Sequence, residues 1–129
     1  MSLRSPLGRV LGLGSAKGGS GHWYSQRVTA VALVILGFWF IASLALLGAG
    51  APHAAVVGWL HSPFSAVMAL LLVAVTAYHA QLGLQVVFED YISDKSMRLV
   101  VLVALKFVLV VAALIGILAV LRIAFGAQA

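Results

Sequence analysis

The sequence predicts an all-α membrane protein with three transmembrane helices, and two observations carry this prediction. The 129 residues are 64% hydrophobic, with a mean hydropathy of +1.16 and only 8 basic and 3 acidic side chains. The apolar residues gather in three runs of about twenty residues or more, the length needed to cross about 30 Å of hydrocarbon. Three such spans use most of the chain, so no soluble catalytic domain is expected beside them.

Charge and cysteine content exclude several functions. The net charge of +5 would suggest a nucleic-acid partner in a soluble protein. Here the basic residues lie beside the apolar runs, where they set membrane orientation, so nucleic acid is not expected as a partner. The chain has no cysteine, which excludes disulfides, thiolate metal sites and any iron-sulfur cluster held by this chain alone. A redox centre would use histidine or come from a partner.

Residues 1–26 are predicted to form a mostly irregular cytoplasmic arm, followed by a transmembrane domain over 27–129. The arm is rich in Gly and Ser and has no sustained apolar periodicity. Its segment GLGSAKGGSG looks like a phosphate-binding loop but lacks the GK[ST] ending and a preceding strand, so a flexible leader is the better interpretation. A signal peptide is also disfavoured, because the apolar run starts only near Val28, after a long polar segment.

The predicted spans are residues 28–47, 64–88 and 97–125. Arg27 lies at the cytoplasmic end of the first span. Residues 48–63 contain two prolines and no formal charge, which predicts a short interfacial connection with Trp59 as a headgroup-level anchor. The segment EDYISDKSMR separates the second and third spans.

The basic residues also predict the orientation of the chain. Six of them precede the first span or lie between the second and third: Arg4, Arg9, Lys17, Arg27, Lys95 and Arg98. The first connection has neither Lys nor Arg, so the N-terminus is expected in the cytoplasm and the C-terminus outside. Arg122, near the far end, opposes this only weakly. The EDY end of the second span then faces the cytoplasm.

The functional interpretation depends most on His79. It precedes Asp90 by eleven residues and is therefore expected roughly 16 Å deeper in the bilayer. An ionisable side chain at that depth is costly without a partner, which suggests a haem or metal ligand or a proton relay. Thr76 could hydrogen-bond locally or to a ligand, and Gly83, one turn from His79, would leave room for a flat macrocycle. The spacing equally allows His79 to bond a neighbouring helix while Gly83 permits close helix packing.

The remaining histidines bear on what His79 could ligate. His22, His53 and His61 all lie outside the predicted spans and cannot reach the depth of His79. Two-histidine haem ligation would therefore require a second polypeptide.

Asp90 and Tyr91 lie where the second span meets water. The phenol could donate a hydrogen bond to a quinone carbonyl, and the carboxylate could relay the protons of quinone reduction. The alternative is an ordinary interfacial tyrosine beside an acid that ends the span. Lys106 lies about 12 Å along the third span from Arg98. It is expected to snorkel toward the cytoplasm rather than meet a propionate or a lipid phosphate.

The segments GSAKGGSGHWYSQRVTAVAL and YHAQLGLQVVFEDY resemble the small hydrophobic membrane-anchor subunit of bacterial succinate dehydrogenase, in its alphaproteobacterial form. The resemblance runs from about Pro6 through the third span. Its most specific part is an ordered set in the second span: His79, Gly83, Gln85, Asp90 and Tyr91.

This resemblance implies one half of a haem-bearing anchor bundle in the bacterial inner membrane. A second anchor subunit of the cytochrome b556 type would complete the bundle, and an iron-sulfur subunit and a flavoprotein subunit would attach on the cytoplasmic side. The chain itself would be non-catalytic. In the respiratory chain and tricarboxylic acid cycle, electrons would pass from succinate through flavin and iron-sulfur clusters to ubiquinone. Fumarate reductases use related anchors, so the physiological direction stays open.

The resemblance also implies roles for individual residues. His79 would be this chain's axial ligand to the iron of haem b, which the two anchors share. Tyr91 would hydrogen-bond ubiquinone, and Asp90 would support it. Arg27 would contact a haem propionate or the quinone site, unless it serves only as a positive-inside anchor; Ser25 is a weaker candidate.

Two other classes of function are considered. A small transporter or channel subunit would line a path with His79, Gln81 and Gln85. The two glutamines share a helical face, however, and His79 lies about 120° from Gln85, so no single polar stripe joins all three. In the other class, a purely structural assembly protein, His79 would only pack.

Overall fold

The computed structural model describes residues 19–126, and this part of the chain is entirely helical apart from its connections. The helices are α1 (Gly19–Leu47), α2 (His53–His61), α3 (Pro63–Tyr91) and α4 (Lys95–Phe125). The predicted all-α class is confirmed. Most of the predicted N-terminal arm, with Arg4, Arg9 and Lys17, lies outside the described residues.

Three of the helices are long and apolar enough to cross a membrane: Ser20–Leu47, Pro63–Tyr91 and Lys95–Phe125. The second and third agree closely with the predicted spans. The first helix begins at Gly19 rather than near residue 28, so the end of the predicted arm, including His22, is helical. This extension lies against α3, and tertiary packing explains why a Gly- and Ser-rich segment of low helix propensity is helical there.

The ends of the helices follow from local chemistry. Gly48 and Gly50 have φ of +87° and +92°, a left-handed conformation that favours glycine and lets the chain turn after α1. Pro63 begins α3, where its missing N–H has no helical partner to lose. Asp94 caps α4 by accepting a hydrogen bond from the backbone N–H of Met97 at 2.7 Å.

The first connection contains a short helix, α2, that carries an aromatic contact. The Trp59 ring stacks on Trp39 of α1 with centroids 5.6 Å apart, and Phe40 lies 6.2 Å from it. Phe64, at the start of α3, meets Trp39 edge-on at 6.2 Å. These four rings join α1, α2 and α3 at the end of the bundle where α1 finishes, and they give Trp59 a packing role besides the expected interfacial one.

Helix α3 is the central element, because both α1 and α4 pack against it and α2 lies against α3 and α4. The buried apolar side chains are few: Leu36, Leu60, Ala66, Ala69 and Leu82. The alanines let the helices approach closely, as small residues do in membranes. The outer faces of α1 and α4 carry exposed Val, Leu, Ile and Phe side chains, as expected for helices surrounded by lipid or by another apolar subunit.

Candidate functional site

His79 lies on the face of α3 that meets α1, and polar groups of α1 lie against both of its ring nitrogens. Nδ1 is 2.8 Å from Oγ1 of Thr29. Nε2 is 3.4 Å from the amide nitrogen Nε2 of Gln26. Thr29 is only 8% exposed, so its hydroxyl is buried where it meets the half-buried imidazole. The sequence leaves open whether His79 bonds a neighbouring helix, and the structure gives it that bond.

Two stripes of residues at helical spacing bring these groups together. His22, Gln26 and Thr29 lie four and three residues apart on one face of α1, and they lie opposite His79, Gly83 and Val86 of α3. We call this set of six residues the α1–α3 seam. It is polar on α1 at positions where a membrane span is usually apolar, and this places a hydrogen-bonding surface beside the imidazole.

A cavity of about 370 Å³ opens on the seam between His79 and the Tyr91 end of α3. Its lining residues are His22, Trp23, Gln26, Gly83 and Val86. Two buried polar atoms here have no hydrogen-bond partner in the described chain, Nε2 of His22 and Oε1 of Gln26. Buried polar atoms are rarely left unpaired. This cavity is therefore suited to a ligand or a subunit that brings hydrogen-bonding groups.

Crowding among residues 19–126 does not explain why position 83 is a glycine. A Cβ atom built at Gly83 would have one neighbour within 4 Å, Nε2 of Gln26 at 3.5 Å, which is an ordinary contact. An alanine would fit here as far as the described residues are concerned. Close packing of α1 on α3 within residues 19–126 therefore does not explain the glycine.

The seam offers one candidate ligand for a haem, His79. Among residues 19–126 no three His, Asp or Glu side chains gather around a common point, so a metal held here would depend on His79 and on ligands from elsewhere. The Gln26 amide lies against the nitrogen that would bind iron, so this flexible side chain would have to turn away. The cavity is at the lower end of the range for drug-sized ligands. It would hold an edge of a macrocycle, not the whole group.

Asp90 and Tyr91 lie in the last turn of α3, and both are exposed, Tyr91 at 85%. No side-chain hydrogen bond joins either of them to another residue in the range 19–126. Arg27 is also exposed, and its guanidinium lies 5.6 Å from the centre of the Trp23 ring in a cation–π contact. The backbone carbonyl of Ser25 accepts a hydrogen bond from Thr29. These groups are available to other subunits or to a ligand.

The second polar surface lies on the opposite side of α3. Gln81 and Gln85 line a notch of about 220 Å³ with Lys106 and apolar residues of α4. Gln85 donates a hydrogen bond of 2.8 Å to Glu89. The two glutamines thus share a face that is not the face of His79, as helix geometry predicts, and no polar path runs through all three. The snorkelling of Lys106 stays a prediction.

The other histidines lie away from His79. His53 and His61 are on α2, at the far end of α3. His22 lies within α1 rather than outside the helix as predicted, but it precedes Thr29 by seven residues, roughly 10 Å along the helix. Within residues 19–126 no hydrogen bond joins any of the three to the His79 ring, and a second histidine ligand from another polypeptide stays a prediction.

Sequence reasoning missed Thr29 and Gln26, the residues that hold His79. It singled out Thr76 on the same helix as His79, for a local hydrogen bond or a ligand, and Thr76 lies in an apolar groove between α3 and α4. One sequence pattern points to the right residues: polar side chains at positions 22, 26 and 29, the helical spacing that places them on one face.

Three apolar helices, with a histidine held between two of them, define a small helical membrane protein whose binding groups lie at helix contacts. Comparison with known proteins narrows this class. The family described as "Succinate dehydrogenase/Fumarate reductase transmembrane subunit" matches residues 1–113. This chain belongs to that family, and the predicted resemblance is confirmed.

Individual relatives carry a more specific name. The protein named succinate dehydrogenase hydrophobic membrane anchor subunit from Rickettsia bellii is 36% identical over 103 residues, which is 80% of this chain and 82% of that protein. The one from Rickettsia conorii is 38% identical over 105 residues, 79% of this chain and 82% of that protein. The Rickettsia felis protein is 37% identical over 99 residues, 75% of this chain and 82% of that protein. No solved structure gave a significant match.

Proposed function

We propose that this chain is a membrane-anchor subunit of succinate dehydrogenase, without catalytic activity of its own. It would act with a second anchor subunit, an iron-sulfur subunit and a flavoprotein subunit in the bacterial inner membrane. Support comes from the anchor-subunit name of relatives that cover most of the chain. Three helices that can cross a membrane account for most of the residues. The flavoprotein would oxidise succinate, and this chain would keep the electron path close to the quinone pool.

Within that role, His79 would be an axial ligand of haem b. The observation that supports this step is that Nδ1 has a close contact with Thr29 at 2.8 Å, whereas Nε2 has only the longer contact of 3.4 Å with the Gln26 amide. When bound, haem b supplies a one-electron carrier inside the membrane. Gly83 would keep the neighbouring helix face clear, and Gln26 would turn aside. The second axial ligand would come from the partner anchor, of the cytochrome b556 type.

Tyr91 and Asp90 would serve ubiquinone at the cytoplasmic end of α3. The Tyr91 phenol, which has no partner in the described chain, would donate a hydrogen bond to a quinone carbonyl. Asp90, the preceding residue, would support the phenol or pass protons to the quinone. Arg27, near the same end of the bundle, would add positive charge toward a haem propionate or the quinone site. The orientation follows from the basic residues, with the N-terminus cytoplasmic.

Affinity purification of the tagged chain from mildly solubilised membranes tests the anchor role. The expected result is co-purification of a flavoprotein, an iron-sulfur protein and a second hydrophobic subunit, with succinate-to-quinone activity and a b-type haem spectrum. Purification of the tagged chain alone, from membranes that retain full succinate-to-quinone activity, would refute the proposal.

A further inference from the structure

The Thr29 hydroxyl lies within hydrogen-bond distance of three groups. Oγ1 is 2.8 Å from the backbone oxygen of Ser25 and 3.1 Å from that of Gln26, both in the preceding turn of α1. It is also 2.8 Å from Nδ1 of His79. A hydroxyl has a single proton to donate and two lone pairs to accept with. Carbonyl oxygens only accept. The direction in which the Thr29 hydroxyl donates its proton therefore depends on the tautomer of the His79 imidazole.

Two arrangements of the protons satisfy the hydrogen bond between Thr29 and His79. In the first, the Thr29 hydroxyl donates to Ser25, Nδ1–H of His79 donates to Oγ1, and Nε2 of His79 carries no proton, so its lone pair can accept a hydrogen bond. The Gln26 amide, 3.4 Å away, then donates to Nε2. In the second, Thr29 donates to Nδ1, so Nε2 carries the proton. In that arrangement Thr29 no longer donates to the Ser25 carbonyl. The N–H groups of His79 Nε2 and Gln26 Nε2 also face each other, unless the oxygen and nitrogen of the Gln26 amide exchange places.

We propose that Thr29 is the positioning residue of His79: it accepts the Nδ1 proton and thereby presents the Nε2 lone pair to haem iron. The inference rests on the proposed haem ligation, because only the first arrangement leaves Nε2 able to bind a metal. Metal-binding histidines commonly donate their other ring N–H to an oxygen, which fixes both tautomer and ring orientation. Here the oxygen belongs to a threonine on a different helix, and its own proton is held by a backbone carbonyl of that helix.

The hydrogen bond between Nδ1–H of His79 and Thr29 would shift the midpoint potential of a bound haem in one direction. A hydrogen bond from Nδ1–H to an acceptor makes the imidazole a stronger electron donor, which favours ferric over ferrous iron. Loss of the acceptor should raise the midpoint potential of the haem. It should also loosen the ring, because the buried Nδ1–H would have no partner.

Thr29→Val tests this in the assembled complex, since valine matches the shape of threonine but cannot accept a hydrogen bond. Two readouts independent of turnover are the haem midpoint potential and the rate at which haem transfers from the solubilised complex to apomyoglobin. We expect the potential to rise and the transfer to become at least tenfold faster, in keeping with the usual effect of removing a histidine's outer partner. Thr29→Ser should restore both. If Thr29→Val does not assemble, Thr29→Ala, which adds no bulk, provides the same readouts.

Matched variants separate this inference from the proposed function. Thr76→Val removes a threonine hydroxyl one turn from His79 on the α4 side and should change neither readout. Wild-type potential and transfer rate in Thr29→Val, or a Thr29→Ser variant that behaves like valine, would overturn the role of Thr29 and leave haem ligation by His79 standing. A normal haem spectrum in assembled His79→Ala would refute the ligation itself.

Discussion

Gly116 of α4 packs directly against Val73 of α3. A Cβ atom added at Gly116 would lie 2.9 Å from Cγ1 of Val73, closer than such atoms approach in real structures. Gly116 therefore permits the close approach of α3 and α4, as small residues do between membrane helices. Gly83, on the face of α3 that meets α1, has no such neighbour among the described residues, and the two glycines can be tested against each other.

Gly116→Ala should weaken the α3–α4 contact and leave the haem site intact. Overpacking a tight contact costs about 1–3 kcal/mol, so the purified complex should unfold at a lower temperature with its haem content unchanged. Gly83→Ala should leave the unfolding temperature unchanged and lower the haem content. An alanine fits among residues 19–126, but it would stand where the edge of the proposed haem would lie. The measurements are the unfolding temperature of each purified variant and its haem content per complex. Full haem content in Gly83→Ala would indicate that this glycine serves helix packing against a partner subunit and not haem binding.

His79→Ala should remove or alter the b-type haem spectrum of the assembled complex. The reason is that His79 is the histidine that α3 carries on the α1–α3 seam. His53→Ala, on α2, is the matched control and should leave the spectrum unchanged. The measurement is the reduced-minus-oxidised absorption spectrum at equal amounts of complex. An unchanged spectrum in the His79 variant would mean that the ring only bonds α1.

Tyr91→Phe should separate quinone chemistry from anchoring. If the phenol donates to the quinone carbonyl, that bond strengthens as negative charge develops on the oxygen, so its loss costs turnover as well as binding. Succinate-to-quinone activity should fall at least tenfold, equivalent to about 1.4 kcal/mol or more of barrier. Electron transfer from succinate to an artificial acceptor that takes electrons from the soluble subunits should be normal. Asp90→Asn should have a milder effect.

Retained quinone reductase activity in Tyr91→Phe would identify the tyrosine as an interfacial anchor. The quinone site would then be built mainly by the partner subunits.

The orientation predicts the behaviour of reporter fusions. Alkaline phosphatase is active only outside the cytoplasm. A fusion after Ala129 should therefore be active, and a fusion near Ser93, between α3 and α4, should be inactive. The opposite pattern would place Tyr91 on the outer side and remove the proposed quinone site from the cytoplasmic end.

Hydropathy located the long helices because membrane spans are defined by composition and length. The predicted starts of the second and third spans fall close to Pro63 and Lys95. The beginning of α1 could not be found this way, because Gly19–Arg27 is polar and Gly-rich, and it is helical where it lies against α3. Hydropathy also did not reveal the short helix α2, whose Trp59 packs against Trp39 and Phe40 of α1.

The site was predictable only in part. His79 stands out in the sequence because an ionisable residue inside an apolar run is unusual. Its partner Thr29 is fifty residues away along the chain, and no local spacing relates the two. Only the pairing of helices brings them together. For the same reason the sequence could not distinguish Gly83 from a packing glycine, because the space around a missing side chain is a property of the neighbouring helix.

If His79 binds haem as proposed, its bond to Thr29 would make the haem absorption bands sensitive to how α1 docks on α3. The ring is carried by α3, but both of its hydrogen-bond partners in the described chain are carried by α1. A tilt or slide of α1, even one that begins at the distant Trp39–Trp59 stack, would reach the imidazole before the subunits separate. Absorption bands of the intact complex, followed during heating or detergent exchange, would then report the loosening of this helix pair as it happens.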